Sequence, residues 1–300
     1  MKNDEQTLAG TLASDLLRER RIDRWLKNIR FVLWFGLIAF ITYQIVRTNT
    51  TTSHLAESHV AFIRLDGMIA SGREFSADTV IPVLQDAFSD KNTVGVLIDI
   101  NSPGGTPVQS AIIHDEILRL KAKYHKKVVV VGEDLLTSGA YFVAVAADKI
   151  YVNESTLTGS IGVVMKGFGF VDLMKKIGVE RRVYVSGNNK DRLDPFLPQN
   201  PDDTKKIASV MEEVHQHFIN AVIVGRKGKL KADPKTLFTG DFWSGTTALK
   251  LGLVDGLGSW TSVISKEWGK TPYHEYGSGN GFLRLLSGQL TSSFDHLVNS

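Results

Sequence analysis

The chain reads as an α/β protein with a largely parallel sheet flanked by helices, preceded by one transmembrane helix. Three observations predict this. Apolar, β-branched runs recur at 60–66, 94–100, 128–133, 149–152, 161–164 and 181–185. Helical patterns alternate with them, as a parallel sheet with crossover helices requires. An uncharged apolar run, Phe31 to Val46, stands apart near the N-terminus.

That run is short of the roughly 20 residues a bilayer core requires. Trp25, Trp34 and Tyr43 suit interfaces, and Arg30 and Arg47 can extend to them. The Thr-rich stretch Thr48 to Ser53 reads as an exit from lipid. Arg18, Arg20, Arg21, Arg24, Lys27 and Arg30 precede the run, and only Arg47 follows closely. The positive-inside rule then places the N-terminus in the cytoplasm and the remainder outside it. The expected division is a basic cytoplasmic segment at 1–30, an anchor at 31–47, a linker at 48–59, a main domain at 60–270 and a tail at 271–300. This makes a single-pass membrane protein whose main domain lies outside the cytoplasm.

Within the body, VAFIRLD (60–66) and VGVLIDI (94–100) are strands around a helix at 76–89. A helix at 108–124 carries Ile112, Ile113, Ile117 and Leu120 at helical spacing. Strand VVVVGE (128–133) leads to a small-residue helix at 139–147. KIYV, IGVV and RRVYV follow as strands, with a short helix near 172–178 among them. Pro201-Asp202-Asp203 opens the longest helical pattern, 202–224. A Gly-punctuated unit fills 238–258, a loop fills 270–280, and residues 281–298 are a candidate amphipathic helix.

Composition removes several chemistries. There is no cysteine, so disulfides, Cys-ligated metals and a Cys nucleophile are excluded. Apolar residues are 43% and charged residues 22%, an ordinary globular balance that excludes whole-chain disorder. Residues 1–50 hold eight Lys/Arg against five Asp/Glu, and the remaining 250 hold 27 of each. The body therefore has no basic excess, and nucleic acid is not an expected partner. His215 and His217 point to different helix faces, there is no H-E-x-x-H, and no nucleotide-binding fingerprint appears. No metal or cofactor is expected.

Two motifs remain. Asn101-Ser102-Pro103-Gly104-Gly105 follows a strand directly, and a Gly pair there leaves N–H groups open, as an oxyanion hole requires. Taken alone it would also serve as a plain strand-to-helix turn. Leu136-Thr137-Ser138-Gly139-Ala140-Tyr141 places Ser138 at a helix start, where an N-cap is the ordinary role.

Together with TGSIGV (158–163), SGNNKDRLDPF (186–196) and FTGDFWSGTTALKLGLVDGLG (238–258), these motifs resemble the signal peptide peptidase A (protease IV) family. The likeness is to its short form with one catalytic unit, and it covers roughly 60–265. The resemblance implies the fold of the Clp-protease/crotonase superfamily. It implies Ser138 as nucleophile, Lys190 as general base 52 residues later, and Ser160 as the residue that orients Lys190. It further implies an oxyanion hole at Gly104 and Gly105, with Gly105 preferred, and Gly139 as a second donor.

A serine hydroxyl needs a base, and a lysine serves only when its amine is neutral. Local sequence around Lys190 is polar, with Asn188, Asn189, Asp191, Arg192 and Asp194, so on its own it reads as a solvated surface residue. The resemblance implies a homo-oligomer whose adjacent protomers share the dyad, which would supply the missing environment. The expected function is a membrane-anchored serine endopeptidase that cleaves remnant signal peptides and other membrane-proximal or unfolded chains through an acyl-enzyme. The competing readings are a crotonase-like acyl-CoA enzyme and an inactive peptide-binding membrane scaffold.

Overall fold

The structure, a computed structural model, describes residue 25, residues 28–42 and residues 57–277. It divides into two compact units, Met1–Glu57 and Ser58–Ser300.

In the first unit the described residues form one helix, α1 (28–42). The expected anchor is corrected here. Among the described residues no helix is long and apolar enough to cross a membrane. The described helical residues 28–42 rise roughly 22 Å at about 1.5 Å each, less than a hydrocarbon core of roughly 30 Å. The single-pass topology and the bilayer as a partner rested on that span and fall with it. The basic cluster Arg18 to Lys27, the stretch Thr48 to Ser53 and the helix at 281–298 lie outside the described residues.

The second unit begins β1 (His59–Asp66), α2 (Ala77–Ser89), β2 (Thr93–Ser102), α3 (Pro107–Tyr124) and β3 (Lys127–Thr137). It continues with α4 (Gly139–Ala144), β4 (Lys149–Val152), β5 (Leu157–Gly159), α5 (Val171–Ile177) and α6 (Pro201–Gly225). It closes with α7 (Pro234–Leu237), β6 (Phe242–Ser244), α8 (Gly245–Leu251), β7 (Gly256–Leu257), α9 (Trp260–Trp268) and β8 (Tyr273–Tyr276). The main strand order is β6-β5-β3-β2-β1-β8, and β4 pairs with both β3 and β7. The fold is α/β with a mixed sheet, because β6 runs antiparallel to β5 while the other pairs are parallel. The expected fold class is corrected accordingly, to a mixed sheet with no membrane-crossing helix among the described residues.

Strand parity explains the core. Ala61, Ile63 and Leu65 of β1, Val96, Ile98 and Ile100 of β2, and Val128 and Val130 of β3 face one layer with α2, α3 and α4. Val60, Phe62, Leu97, Val129 and Val131 face the other, against Val263 and Ile264 of α9. Both faces are covered, which is why these strands read as continuous apolar runs. On the second face Glu267 takes hydrogen bonds from Lys127, Lys149 (2.9 Å) and Tyr151 (2.5 Å). Burial pushes the Glu267 carboxyl up, but these bonds outweigh it and hold the group at about 2.

Two expected strands are absent. At 161–164 the chain is irregular, and the strand lies earlier, at β5. At 181–185 it is also irregular and exposed, with Tyr184 90% accessible. Asn200 caps α6, its side chain accepting the Asp202 N–H at 2.9 Å, with Pro201 in the first turn. At the other end of α6, Arg226 is buried. Its guanidinium donates to Asp255 (2.5 Å) and to the Gly252 carbonyl (2.8 Å), tying the helix end to the loop after α8.

Candidate active site

β3 divides its partners along its length. Its first half pairs with β4, and Leu135, Leu136 and Thr137 pair with Leu157, Thr158 and Gly159 of β5. The two chains then leave the sheet side by side, so Ser138 and Ser160 follow neighbouring strand ends. Both are non-glycine residues with positive φ, 51° at Ser138 and 52° at Ser160. Such a backbone costs on the order of 1–3 kcal/mol per residue and persists only when held. It is held here. The Ser138 N–H donates to the Gly159 carbonyl at 2.8 Å, its carbonyl accepts from Phe142 at 3.0 Å, and the Ser160 N–H donates to Asp241 at 2.8 Å.

Ser138 occupies the N-cap position of α4, but its hydroxyl makes no capping bond. Capping therefore does not account for the serine or its strained backbone. The helix behind it is packed tightly: Ala140, Tyr141, Val143 and Ala144 are fully buried, and the Tyr141 hydroxyl donates to the Leu253 carbonyl at 2.7 Å.

The turn after β2 comes directly against this serine. A methyl group on Gly104, whose φ is +94°, would meet the Gly139 nitrogen at 2.6 Å and the Ser138 Cβ at 2.8 Å. One on Gly105 would meet the Ile69 carbonyl oxygen at 1.9 Å. Only glycines allow the two turns to approach this closely. Among the described residues neither the Gly105 nor the Gly139 N–H has a backbone acceptor. Ser138, Ser160, Gly104, Gly105 and Gly139 are thus brought together as one cluster, in which the Gly105 and Gly139 N–H groups are the open donors.

Lys190 is not brought to it. It sits exposed in the turn 187–194, its N–H bonded to the Gly187 carbonyl at 3.1 Å, and no hydrogen bond joins its amine to Ser138 or Ser160 among the described residues. Its segment is a lobe held by its own contacts. Phe170 stacks on Phe196 at 5.3 Å, Arg181 pairs with Asp194 at 2.6 Å, and Arg192 pairs with Asp203 at 2.9 Å. The lobe exposes Val164, Met165, Phe168, Ile177 and Tyr184.

Sequence reasoning passed over three residues beside the cluster. Ser102 accepts the Gly104 N–H at 3.1 Å. Ser110, fully buried on α3, lies where a Gly139 side chain would be, 2.4 Å from that position. His215 of α6, weighed only as a metal ligand, donates from Nε2 to the Ile161 carbonyl at 3.1 Å and so braces the segment after Ser160. No spacing signal marks His215, because its partner is 54 positions away. No group of three or more His, Asp or Glu among the described residues is arranged to hold a metal.

A second polar group lies on the α9 side of the sheet. Asp99 of β2 shares strand parity with Arg64 and Asp66 of β1 and Glu133 of β3. It is buried, and no hydrogen-bond donor reaches its oxygens among the described residues. Arg64 Nε stands 3.5 Å away. Burial, then the neighbouring Glu133, pushes the Asp99 carboxyl up to about 8.

Comparison with known proteins bears on this cluster. The model described as peptidase family S49 matches residues 121–268. The chain is 32% identical over 212 residues to a Synechocystis protein described as putative protease slr0021, covering 71% of this chain and 73% of that one. It is 32% identical over 221 residues to a putative signal peptide peptidase SppA of Enterococcus faecium, covering 71% and 64%. It is also 46% identical over 218 residues to a Brucella melitensis protein described as Na(+)/H(+) antiporter NhaA, covering 71% of this chain but only 30% of that protein.

Proposed function

The chain belongs to peptidase family S49, a family of serine peptidases, and we propose that it hydrolyses peptide bonds through an acyl-enzyme on Ser138. The observation that carries the reading is the uncapped, strained Ser138 set against open N–H groups of Gly105 and Gly139. In this reading the Ser138 Oγ attacks the scissile carbonyl carbon as Lys190 takes its proton. The oxyanion that forms is held by the Gly105 and Gly139 N–H groups. The protonated lysine returns its proton to the leaving amine, and water then releases the acyl group by the same route. Ser160 directs the amine.

Lys190 reaches Ser138 from a neighbouring copy of the chain. Two features support this: the lysine is exposed, its amine making no hydrogen bond or ion pair among the described residues, and the same lobe exposes a set of large apolar side chains. Seating the lobe on a second copy would cover them and withdraw the amine from water, as a lysine acting as a general base requires.

The test is digestion of casein by wild type and Ser138→Ala, with mass spectrometry of the trapped acyl adduct. The expected result is turnover and a Ser138 adduct in wild type and neither in the variant. Equal hydrolysis by Ser138→Ala would overturn the assignment.

A further inference from the structure

We propose that Ser102 is a positioning residue of the oxyanion hole, which ties down Gly104 so that Gly105 is the donor. The inference rests on the peptidase reading above and deepens it.

Two consecutive N–H groups in the turn could serve a developing oxyanion. They are not equivalent. The Gly104 N–H donates to the Ser102 hydroxyl at 3.1 Å, and Ser102 is completely buried, so no water competes for that bond. The Gly104 carbonyl accepts the Ile69 N–H at 2.9 Å, and the Thr106 N–H donates to the Ile69 carbonyl at 2.8 Å. Gly104 is buried and fully engaged, whereas Gly105 is exposed. In an extended bridge of this kind the residue between the two bonds turns its own N–H to the opposite side. The Gly105 nitrogen lies beside the start of α4, 3.1 Å from the position of a side chain on Gly139, the residue after Ser138.

Removing the Ser102 hydroxyl frees a buried N–H next to Ser138. The turn can then rotate to satisfy it, and Gly105 leaves its direction. Oxyanion donors act in the transition state, so this loss belongs in kcat and not in KM.

The experiment compares wild type, Ser102→Ala and Ser102→Thr on a fluorogenic peptide, and measures their affinity for a peptide boronate and for the matching carboxylate product. The boronate places a tetrahedral oxygen in the hole and the product does not. Ser102→Ala should lower kcat about tenfold to a hundredfold, below the roughly hundred- to thousandfold typical of deleting a donor outright. KM and product affinity should stay within about twofold, boronate affinity should fall with kcat, and Ser102→Thr should restore both. Boronate affinity and kcat of Ser102→Ala within twofold of wild type would overturn the proposal. So would an equal loss of boronate and product affinity, which a merely structural serine would give. A wild-type protein without Ser138-dependent turnover overturns the peptidase reading itself, and this inference with it.

Discussion

At the scale of single residues, the site depends on side chains that are missing. Gly104→Ala would drive a methyl into the Gly139 nitrogen and the Ser138 Cβ from a backbone with φ near +94°. Neither contact is the end of a flexible side chain, so the turns must separate. We expect kcat to fall at least a hundredfold, the scale of losing one oxyanion donor. A kcat within threefold of wild type would contradict the packing described. Asp99 supplies a pH dependence of stability. Its carboxyl is near 8 in the folded chain and near 3.8 when unfolded, so the folded state holds the proton between those values. The contribution is fully present below about pH 4 and is lost as pH rises through 8. Arg64, Asp66 and Glu133 face the same group and set its size. Ser138 has no part in it, so thermal melts of Ser138→Ala at pH 6 and pH 9 should show it undiminished. Asp99→Asn should remove this pH-linked loss and raise the pH 9 midpoint, by about 2–4 °C per kcal/mol relieved.

At the scale of elements, α6 is held at its end by Arg226. Arg226→Ala leaves Asp255, which also accepts the Ile150 N–H at 2.8 Å, with only Lys229 as a charged partner. Breaking such a buried pair costs roughly 3–5 kcal/mol, and the surviving Lys229 contact places the expected loss near 3. Lys229→Ala, at a partly exposed site, should cost under about 1 kcal/mol in the same denaturation series. Equal losses would show that burial of the guanidinium carries no weight. Element reading from sequence worked where the pattern is local. Val128 to Val131 announce a strand buried on both faces, and Pro201-Asp202-Asp203 announces a helix start. It went astray where a strand depends on a partner. RRVYV has the β-branched composition of a strand, yet among the described residues it finds no strand to pair with, and β5 is set by its neighbours β3 and β6 and not by the apolar IGVV beyond it.

At the scale of the whole molecule, the two halves of the candidate dyad are on different terms. Ser138 and the Gly104-Gly105 turn stood out as candidates because each sits in a short motif at a strand end, and the roles given to them came from the resemblance. Lys190 was legible only through resemblance, since its surroundings are polar and its own fold leaves it in solvent. The exposed lobe, with Phe168 80% and Tyr184 90% accessible, gives the physical reason to look to a second copy. Specific activity should therefore fall on dilution, and a lobe variant such as Tyr184→Glu should lower activity together with self-association in sedimentation. The most direct measurement mixes two inactive variants, Ser138→Ala and Lys190→Ala, under conditions where subunits exchange and mixed oligomers are verified by mass spectrometry. The account predicts that peptide hydrolysis returns, because some interfaces then pair an intact serine with an intact lysine. Verified mixed oligomers that cleave no peptide would contradict it.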